Sequence, residues 1–343
     1  MSDRGALLVK GIAGFGNRIF NALNGICYAR LTGRELFIDW SDPDYSPDHS
    51  NIFPSLFQCP LLATGPLPQT DSIYPAIWCG QLGVPARALG GRFKLSSDAI
   101  TKQLSIDLAK IDYPEELLVL VAYNERLKLM RPHFRGSLAA LAKLPGRVIL
   151  QDMLRRDLIL HPHVQEQVAQ FKRRHFTGPT VGVHIRYSDY RTALFTLIRR
   201  LNELLRSHPD LTIFLASDSA DVTQMIRRVY PRVVTTEHWF AQPGESIHKN
   251  RSCPDKLQSA IDALTDLYLL AACDYLLFDW TSSFGRVAHL LSDAPSNNTV
   301  VVRPHQGKNL SKVQRGMTQL MRKLGFFAWG FRLMPRVIPL RWL

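Results

Sequence analysis

The feature that most constrains the fold of this chain is a short apolar strand, Ala6–Lys10, that runs directly into the glycine-rich turn GIAGFG. From Asn17 to Leu31 apolar residues recur at helical spacing, and Gly33 follows where a glycine ends a helix. A second strand, Glu35–Trp40, comes next. Strand, turn, helix and strand within about thirty-five residues form a βαβ unit, which predicts a parallel sheet.

The second half of the chain repeats this alternation after an amphipathic helix predicted for Pro162–His175. The predicted strands are TVGVHIRYSD, LTIFLASD, RVVTTE, DYLLFDW and NTVVVRP, and the predicted helices are Thr192–His208, Ala220–Tyr230, Ser259–Ala272 and Ser283–Leu291. Between the two halves we expect loops and short elements from 41 to 91, a buried strand at Glu116–Tyr123 and a weaker strand at Val148–Gln151.

A length of 343 residues suits two domains. We expect an N-terminal Rossmann-like domain at 1–176, a C-terminal Rossmann-like domain at 177–305 and a basic amphipathic tail at 306–343. The predicted class is α/β, with two doubly wound domains facing a central cleft. In such folds ligands bind at the carboxyl ends of the strands, so the cleft is the expected site.

The glycine turn is typical of an anion site, because its glycines let the backbone approach a phosphate and the helix that follows points N–H groups at it. It matches the dinucleotide fingerprint G-x-G-x-x-G only in part, since Gly14 and Gly16 are present but Ile19 stands at the third position. Asn17 is interpreted as an N-cap whose side chain could instead face a ligand. A tight turn without a ligand is the alternative.

Three strands of the second half end in polar residues, and their ends meet at one edge of a parallel sheet. The residues are His184 and Arg186, then Asp218, then Thr281, Ser282 and Ser283. A guanidinium forks well onto phosphate oxygens, and hydroxyls at a helix start form an anion nest. The alternatives are an ion pair of Arg186 with Asp189 or Asp218, a core role for His184, and ordinary N-capping by the others.

Net charge of +13 suggests polyanionic partners: nucleic acid, phosphorylated small molecules or an anionic membrane. No RNP pattern, GXXG loop or zinc spacing supports nucleic acid, which we do not expect as a partner. Five scattered cysteines, no recognisable signal peptide and no long apolar run indicate reduced thiols in a cytoplasmic protein. Asp42-Pro43-Asp44 has the spacing of a metal motif but is interpreted as a turn, so no metal is expected.

The C-terminal segment alternates aromatic and aliphatic residues with arginines, and its prolines interrupt any continuous helix. Basic and aromatic residues together suit a membrane interface. We therefore expect peripheral contact with the inner face of the cytoplasmic membrane. Packing of this tail on the core is the alternative.

The segments HIRYSD, FLASDSADV and DLYLLAACDYLLFDWTSSFGRVAHLL resemble the three consecutive motifs of the α1,6-fucosyltransferases and their relatives, the protein O-fucosyltransferases. The similarity is greatest to the NodZ-like members, and GIAGFGNRIF resembles the family's N-terminal glycine turn. It spans most of the chain from Gly11 to about Leu291 and is weak between about Asp42 and Leu150. The resemblance implies an enzyme of GT-B fold that uses GDP-fucose as donor, inverts the sugar and needs no metal. It also implies that the domain at 177–305 is the nucleotide-sugar-binding one.

Carried over by position, the resemblance also implies roles for single residues. Arg186 corresponds to the arginine on the donor diphosphate, His184 to a residue that seats guanine largely through its backbone, and Asp266 to the acid that accepts from guanine N1–H and the N2 amine. The remaining matches are Gly14, Phe15, Gly16 and Asn17 in the turn beside the diphosphate, Asp218 in the second motif, and Ser282 and Ser283 in the third.

The chain departs from the animal α1,6 enzymes at two points. Tyr187 stands where they carry a second basic residue, and RTALF lacks the glutamate proposed there as a base. An inverting enzyme usually uses a base to take the acceptor proton. The candidates are Asp189, which we favour and which could instead orient Arg186, and Asp279 and Glu125.

The acceptor is expected to be a glycan hydroxyl, on an oligosaccharide that contains N-acetylglucosamine or on a lipid-linked glycan. Transfer of another GDP-sugar by the same fold is an alternative, as is a non-catalytic sugar-binding or nucleic-acid-binding protein.

Overall fold

A computed structural model describes residues 5–187, 192–242 and 252–302. Its strands are β1 Ala6–Lys10, β2 Glu35–Asp39, β3 Phe57–Gln58, β4 Ile73–Tyr74, β5 Leu117–Leu120, β6 Ile159–Leu160, β7 Thr180–Ile185, β8 Thr212–Ser217, β9 Val233–Val234, β10 Tyr275–Asp279 and β11 Thr299–Val302. Its α-helices are α1 Phe15–Thr32, α2 Phe53–Leu56, α3 Ala86–Arg92, α4 Ser97–Gln103, α5 Leu127–Met130, α6 Gly146–Asp157, α7 Pro162–His175, α8 Leu194–Ser207, α9 Ala220–Val229, α10 Lys256–Ala271 and α11 Ser283–Leu291.

The first sheet has the order β2-β1-β5-β4, and all of its pairings are parallel. The chain passes from β1 to β2 on one side and later returns to β5 on the other, so the strand order reverses between β1 and β5. Gly33 ends α1 in the left-handed conformation, with φ of 69°, and donates its N–H to the Ala29 carbonyl. The predicted βαβ unit is thus confirmed.

The second sheet has the order β11-β10-β7-β8-β9 and is also wholly parallel. Here the strand order reverses between β7 and β10. Such a reversal opens a crevice at the carboxyl ends of the two strands, because the connections leave on opposite faces. The crevice lies beside the segments that follow β7 and β10, which carry the predicted polar residues.

Side chains alternate along the strands between separate hydrophobic clusters. Leu7 and Val9 of β1 belong to a central cluster, whereas Ala6 and Leu8 pack on the other face of the sheet with residues of α3 and α4. Along β8, Phe214 belongs to the central cluster and Ile213 to one that includes residues of α8 and α9. The central cluster continues through α1, α6, α10 and α11, and the two sheets therefore share one core.

One predicted element is wrong. Val148–Gln151, expected as a weak strand, lies within α6. Pro145 precedes this helix, and Ile149, Leu150, Met153 and Leu154 form a single buried face at helical spacing. A four-residue apolar run cannot distinguish a strand from the start of such a helix.

Within the described ranges, no helix is long and apolar enough to cross a membrane. All five cysteines are free thiols. The tail at 306–343 lies outside the described residues, so its membrane contact and the cytoplasmic location stay predictions, as do the domain boundaries.

Candidate active site

A cleft with a cavity volume of about 140 Å³ lies where the strand ends of the two sheets face each other. Most of the residues singled out from the sequence line this one space. They are Gly14, Phe15, Gly16, His184, Arg186, Asp218, Asp266, Ser282 and Ser283. The first three follow β1 and the others come from the second sheet and its helices, so the cleft is built from both halves of the chain.

Two further cavities, of about 290 and 390 Å³, adjoin this cleft on the side of the first sheet. Asn17 lines both of them and Thr281 lines the first. Arg186 lines all three spaces. A guanidinium at this junction can contact a ligand in the cleft and a second ligand in either neighbouring cavity.

The glycine turn fits closely against α11. A Cβ atom built on Gly16 would overlap the backbone of Ser283 and Phe284. The glycine at this position therefore permits the start of α1 to approach the start of α11. Two helix N-termini consequently border one cleft, and each directs unpaired N–H groups and the positive end of a helix dipole there.

Asn17 is not the N-cap. The helix begins at Phe15, and Gly14, with extended ψ of 169°, precedes it and makes no side-chain cap. The N–H groups of Asn17 and Arg18 both donate to the Gly14 carbonyl, at 3.0 and 3.2 Å. The Asn17 side chain lies instead at the two neighbouring cavities.

The buried side chain of Arg18 stabilises the glycine turn from the protein interior. It is fully buried, donates to the Ala13 carbonyl at 2.8 Å and pairs with Asp42 at 2.7 Å. Its guanidinium carbon also lies 4.5 Å from the ring centre of Tyr45, which lines the cleft. Asp42-Pro43-Asp44 is accordingly a turn, because the Asp42 side chain accepts from the Asp44 N–H at 3.1 Å. The described residues contain no group of three or more metal-ligating side chains.

The end of β7 places His184 and Arg186 on the face away from Val183 and Ile185, which lie in a separate cluster. The His184 ring stacks on Phe284, with ring centres 5.1 Å apart. Burial and then the Arg186 charge lower the pKa of His184 to about 3, so its imidazole is neutral at physiological pH. It contributes a stacking surface and polar edges but no charge.

Asp218 is not a helix cap. Ser219 caps α9, and Asp218 accepts the backbone N–H of Tyr187 at 2.6 Å. This bond ties the segment after β8 to the segment after β7. The carboxylate therefore holds the backbone of the residue that follows Arg186.

The residues after β10 act chiefly as caps. Ser282 caps α11 by accepting the Gly285 N–H at 3.3 Å, as the capping alternative expects, and it also lines the cleft. Thr281 donates its hydroxyl to Asp279 at 2.6 Å. Asp279 is buried and engaged by this bond, which makes it unsuited to act as a base.

Of the other two candidate bases, Glu125 lies within the described residues. Glu125 accepts the Leu127 N–H at 3.2 Å and lines none of the three spaces. Asp189 lies outside the described residues, so its role stays a prediction.

On α10, Asp266 is buried at the cleft and accepts the Thr236 hydroxyl at 2.6 Å. Its pKa is raised to about 6, because burial outweighs the lowering effects of His238 and of the Thr236 hydrogen bond. Asp262, one turn earlier, lines the same cleft, and burial raises its pKa as well.

Sequence reasoning missed several lining residues. His238 and Trp239 line the cleft, and Asp98, Tyr123 and Asn124 line the neighbouring cavity. A usable signal existed for the first two, because HWF follows a predicted strand of the second sheet. No comparable signal marks Asp98, which lies in the first turn of the short helix α4.

The comparisons with known proteins agree with this architecture. The family model described as Nodulation protein Z (NodZ) matches residues 149–297. Nodulation protein Z of Azorhizobium caulinodans is 28% identical over 314 residues, which cover 81% of this chain and 86% of that protein. Nodulation protein Z of Bradyrhizobium diazoefficiens is 25% identical over 313 residues, covering 81% of this chain and 77% of that protein.

Solved structures give the same picture. The chain is similar to a NodZ α-1,6-fucosyltransferase crystal soaked with GDP-fucose, with a TM-score of 0.57, 21% identity, and coverage of 84% of this chain and 93% of that one. It is also similar to POFUT1 in complex with GDP-fucose, with a TM-score of 0.53, 13% identity, and coverage of 88% and 98%. These likenesses show the fold, which is the GT-B arrangement of two facing parallel-sheet units.

The contact between Gly16 and α11 yields a prediction. Gly16→Ala adds a methyl group where backbone already lies, so we expect it to separate the two helix starts and to lower the free energy of unfolding by about 1–3 kcal/mol. Denaturant unfolding measures this. Gly65→Ala is the matched control, because nothing lies within 4 Å of a Cβ at that glycine. Equal stability of the two variants would contradict the assigned contact.

Proposed function

We propose that the chain is a glycosyltransferase that transfers fucose from GDP-fucose to a hydroxyl of a glycan acceptor, with inversion and without a metal ion. The match of residues 149–297 to the NodZ family supports this, since that range contains Arg186, Asp218, Asp266 and the start of α11. The observation that carries the proposal is the position of Arg186 at the junction of the cleft and both neighbouring cavities.

In this proposal the nucleotide occupies the cleft. Asp266 accepts from the guanine N1–H and N2 amine, and His184 and Phe284 provide a stacked apolar wall beside it. The diphosphate lies between Arg186 and the starts of α1 and α11, where Gly14, Phe15, Gly16, Ser282 and Ser283 line the space. Asp218 keeps the Arg186 segment in place through the Tyr187 N–H.

The chemistry requires stabilisation of the leaving diphosphate. Breaking the bond from sugar C1 to the β-phosphate oxygen places positive charge on the sugar and negative charge on GDP. A fixed guanidinium and oriented N–H groups stabilise that negative charge as it develops. These groups take the part that a bound Mg²⁺ plays elsewhere, which supports a metal-independent reaction.

The acceptor enters from the side of the first sheet. The cavity there is lined by Asn17, Tyr123 and Asn124, which offer hydrogen bonds to sugar hydroxyls, and by Asp98, the acidic side chain among its described lining residues. An acceptor in this cavity approaches the sugar from the side away from the nucleotide. These groups suit a glycan, and we propose as the acceptor an oligosaccharide that contains N-acetylglucosamine or a lipid-linked glycan.

The donor is tested directly. We expect purified protein to release GDP from GDP-fucose in the presence of chitooligosaccharide acceptors, in buffer containing EDTA, and to use GDP-mannose at least about tenfold more slowly. GDP release and linkage analysis of the product measure this. Faster turnover with GDP-mannose would favour the alternative of another GDP-sugar, and dependence on added Mg²⁺ would contradict the metal-free mechanism.

The role of Arg186 is tested by substitution. Arg186→Ala removes the charge that meets the diphosphate, so we expect kcat to fall by about 10²–10³ while the protein stays folded. Arg186→Lys keeps the positive charge but cannot bind two phosphate oxygens at once, so its kcat should lie between those of wild type and Arg186→Ala. Arg173→Ala, on an exposed ion pair with Glu166, is the control. Near-normal turnover of Arg186→Ala would show that the assignment is wrong.

The base is tested by comparing two carboxylates. Asp98 lines the neighbouring cavity together with Arg186, and we propose it as the base in place of Asp189. Asp189 lies three residues after Arg186 in sequence and is proposed instead to orient that arginine. We expect Asp98→Asn to lower kcat by about 10²–10⁴ and to flatten the acidic limb of the pH–rate profile, because a base acts only when deprotonated. Asp189→Asn should lower kcat without changing the shape of that profile.

Asp71→Asn, at an exposed loop acid, is the control for both variants. If the acidic limb disappears in Asp189→Asn and persists in Asp98→Asn, the two roles are exchanged.

A further inference from the structure

A chain of three hydrogen bonds runs from Asp266 across the segment that follows β9. Thr236 Oγ1 lies 2.6 Å from Asp266 Oδ1 and 3.3 Å from His238 Nδ1, and His238 Nε2 lies 3.2 Å from the Ser217 carbonyl oxygen. The chain begins on α10 and ends on β8, so it connects the base-reading acid with a strand that borders the cleft.

The groups at the two ends, Asp266 and the Ser217 carbonyl, determine how many protons the three hydrogen bonds require. A backbone carbonyl only accepts, so His238 Nε2 carries a proton. The Thr236 hydroxyl has a single proton, which it can donate to Asp266 or to His238 Nδ1 but not to both. If it donates to Asp266, then His238 Nδ1 must donate to Thr236 Oγ1 and the imidazole is doubly protonated. If it donates to His238, then Asp266 must carry a proton.

All three hydrogen bonds can therefore form at once only if the pair of side chains carries one extra proton. That proton is additional to those of a neutral imidazole and an ionised carboxylate. Asp266 and His238 share that proton, and their summed charge is zero in either form. This arrangement avoids an uncompensated charge on a buried carboxyl.

The other titratable groups around these three hydrogen bonds belong to four segments. Asp262 precedes Asp266 by one turn of α10, His184 and Arg186 lie at the end of β7, Asp218 follows β8, and Glu237 precedes His238 at an exposed position. Asp262 raises the pKa of Asp266, whereas His238 and Thr236 lower it. Within the described residues, His238 is the basic side chain that lowers the pKa of Asp266.

We infer that His238 and Thr236 are positioning residues that keep Asp266 as a carboxylate aimed at the nucleotide base, with the shared proton held on His238. The inference rests on the proposed function and deepens it by assigning base selectivity. A carboxylate accepts from both N1–H and the N2 amine of guanine, whereas a neutral acid would offer a donor suited to N1 of adenine. Holding the proton on His238 thus favours guanine.

The test is the pH dependence of GDP affinity in full-length protein. We expect His238→Gln to bind GDP about tenfold more weakly than wild type near neutral pH, because the buried carboxylate loses its counter-charge. The ratio of the two Kd values should fall toward one as pH rises, because Asp266 of the variant then also becomes a carboxylate. The ionisations of GDP itself cancel in this ratio. Titration calorimetry from pH 6 to pH 9 measures it.

Three further variants complete the test. Thr236→Val breaks the connection and should weaken binding as His238→Gln does, whereas Thr236→Ser restores the hydroxyl and should restore affinity. His208→Gln removes an exposed histidine that contacts Tyr275 and should change nothing. The preference for GDP over ADP should fall in His238→Gln and Thr236→Val.

A direct observation is independent of any variant. In nitrogen-labelled wild type bound to GDP, both ring nitrogens of His238 should carry protons by NMR. A neutral ring there, or a Kd ratio that stays constant with pH, would overturn the inference while leaving the proposed function intact. If wild type does not bind GDP at all, the proposed function fails, and this inference fails with it.

Discussion

The two halves of the molecule meet backbone to backbone at Gly16, and the geometry of the site depends on this contact. Because residue 16 has no side chain, the start of α1 lies directly against Ser283 and Phe284 at the start of α11. Any larger residue would separate the two helix starts. Their N–H groups would then no longer border a common cleft, and the strand-order reversals of the two sheets would no longer face each other.

Around this contact the two halves contribute different chemistry. The first supplies mainly backbone and rings, since Gly14 and Phe15 line the cleft while buried Arg18 holds the turn and the Tyr45 ring in place. The second supplies the charged and titratable groups, among them Arg186 and Asp266. A nucleotide held in this way is recognised by side chains on one side and shielded by backbone on the other.

Much of the fold was predictable because its signals are local. The βαβ unit from Ala6 to Asp39 and the alternating elements from Thr180 onward follow from apolar periodicity and glycine punctuation. Strand-end positions also brought His184, Arg186, Asp218 and Ser282 to the same edge.

Except for His238, whose segment HWF follows a predicted strand, what escaped prediction lacks such a local signal. α6 begins with an apolar run that is also typical of a strand, and only the packing of its buried face distinguishes a helix from a strand there. His238 and Asp98 reach the site through tertiary placement, one from a segment after a two-residue strand and the other from a seven-residue helix. The N-cap assigned to Asn17 failed because the helix starts two residues earlier, at Phe15, where a glycine rather than a side chain precedes it.

The single hydrophobic cluster that extends from β1 through α1 and α11 to β8 has a consequence for folding cooperativity. Two sheets that each had a separate hydrophobic core could unfold independently of each other. Here the helices that cover the inner face of one sheet pack against those of the other, as α1 and α6 do against α11, so opening one half exposes apolar surface of its neighbour. We therefore expect the two sheets to unfold together rather than one after the other.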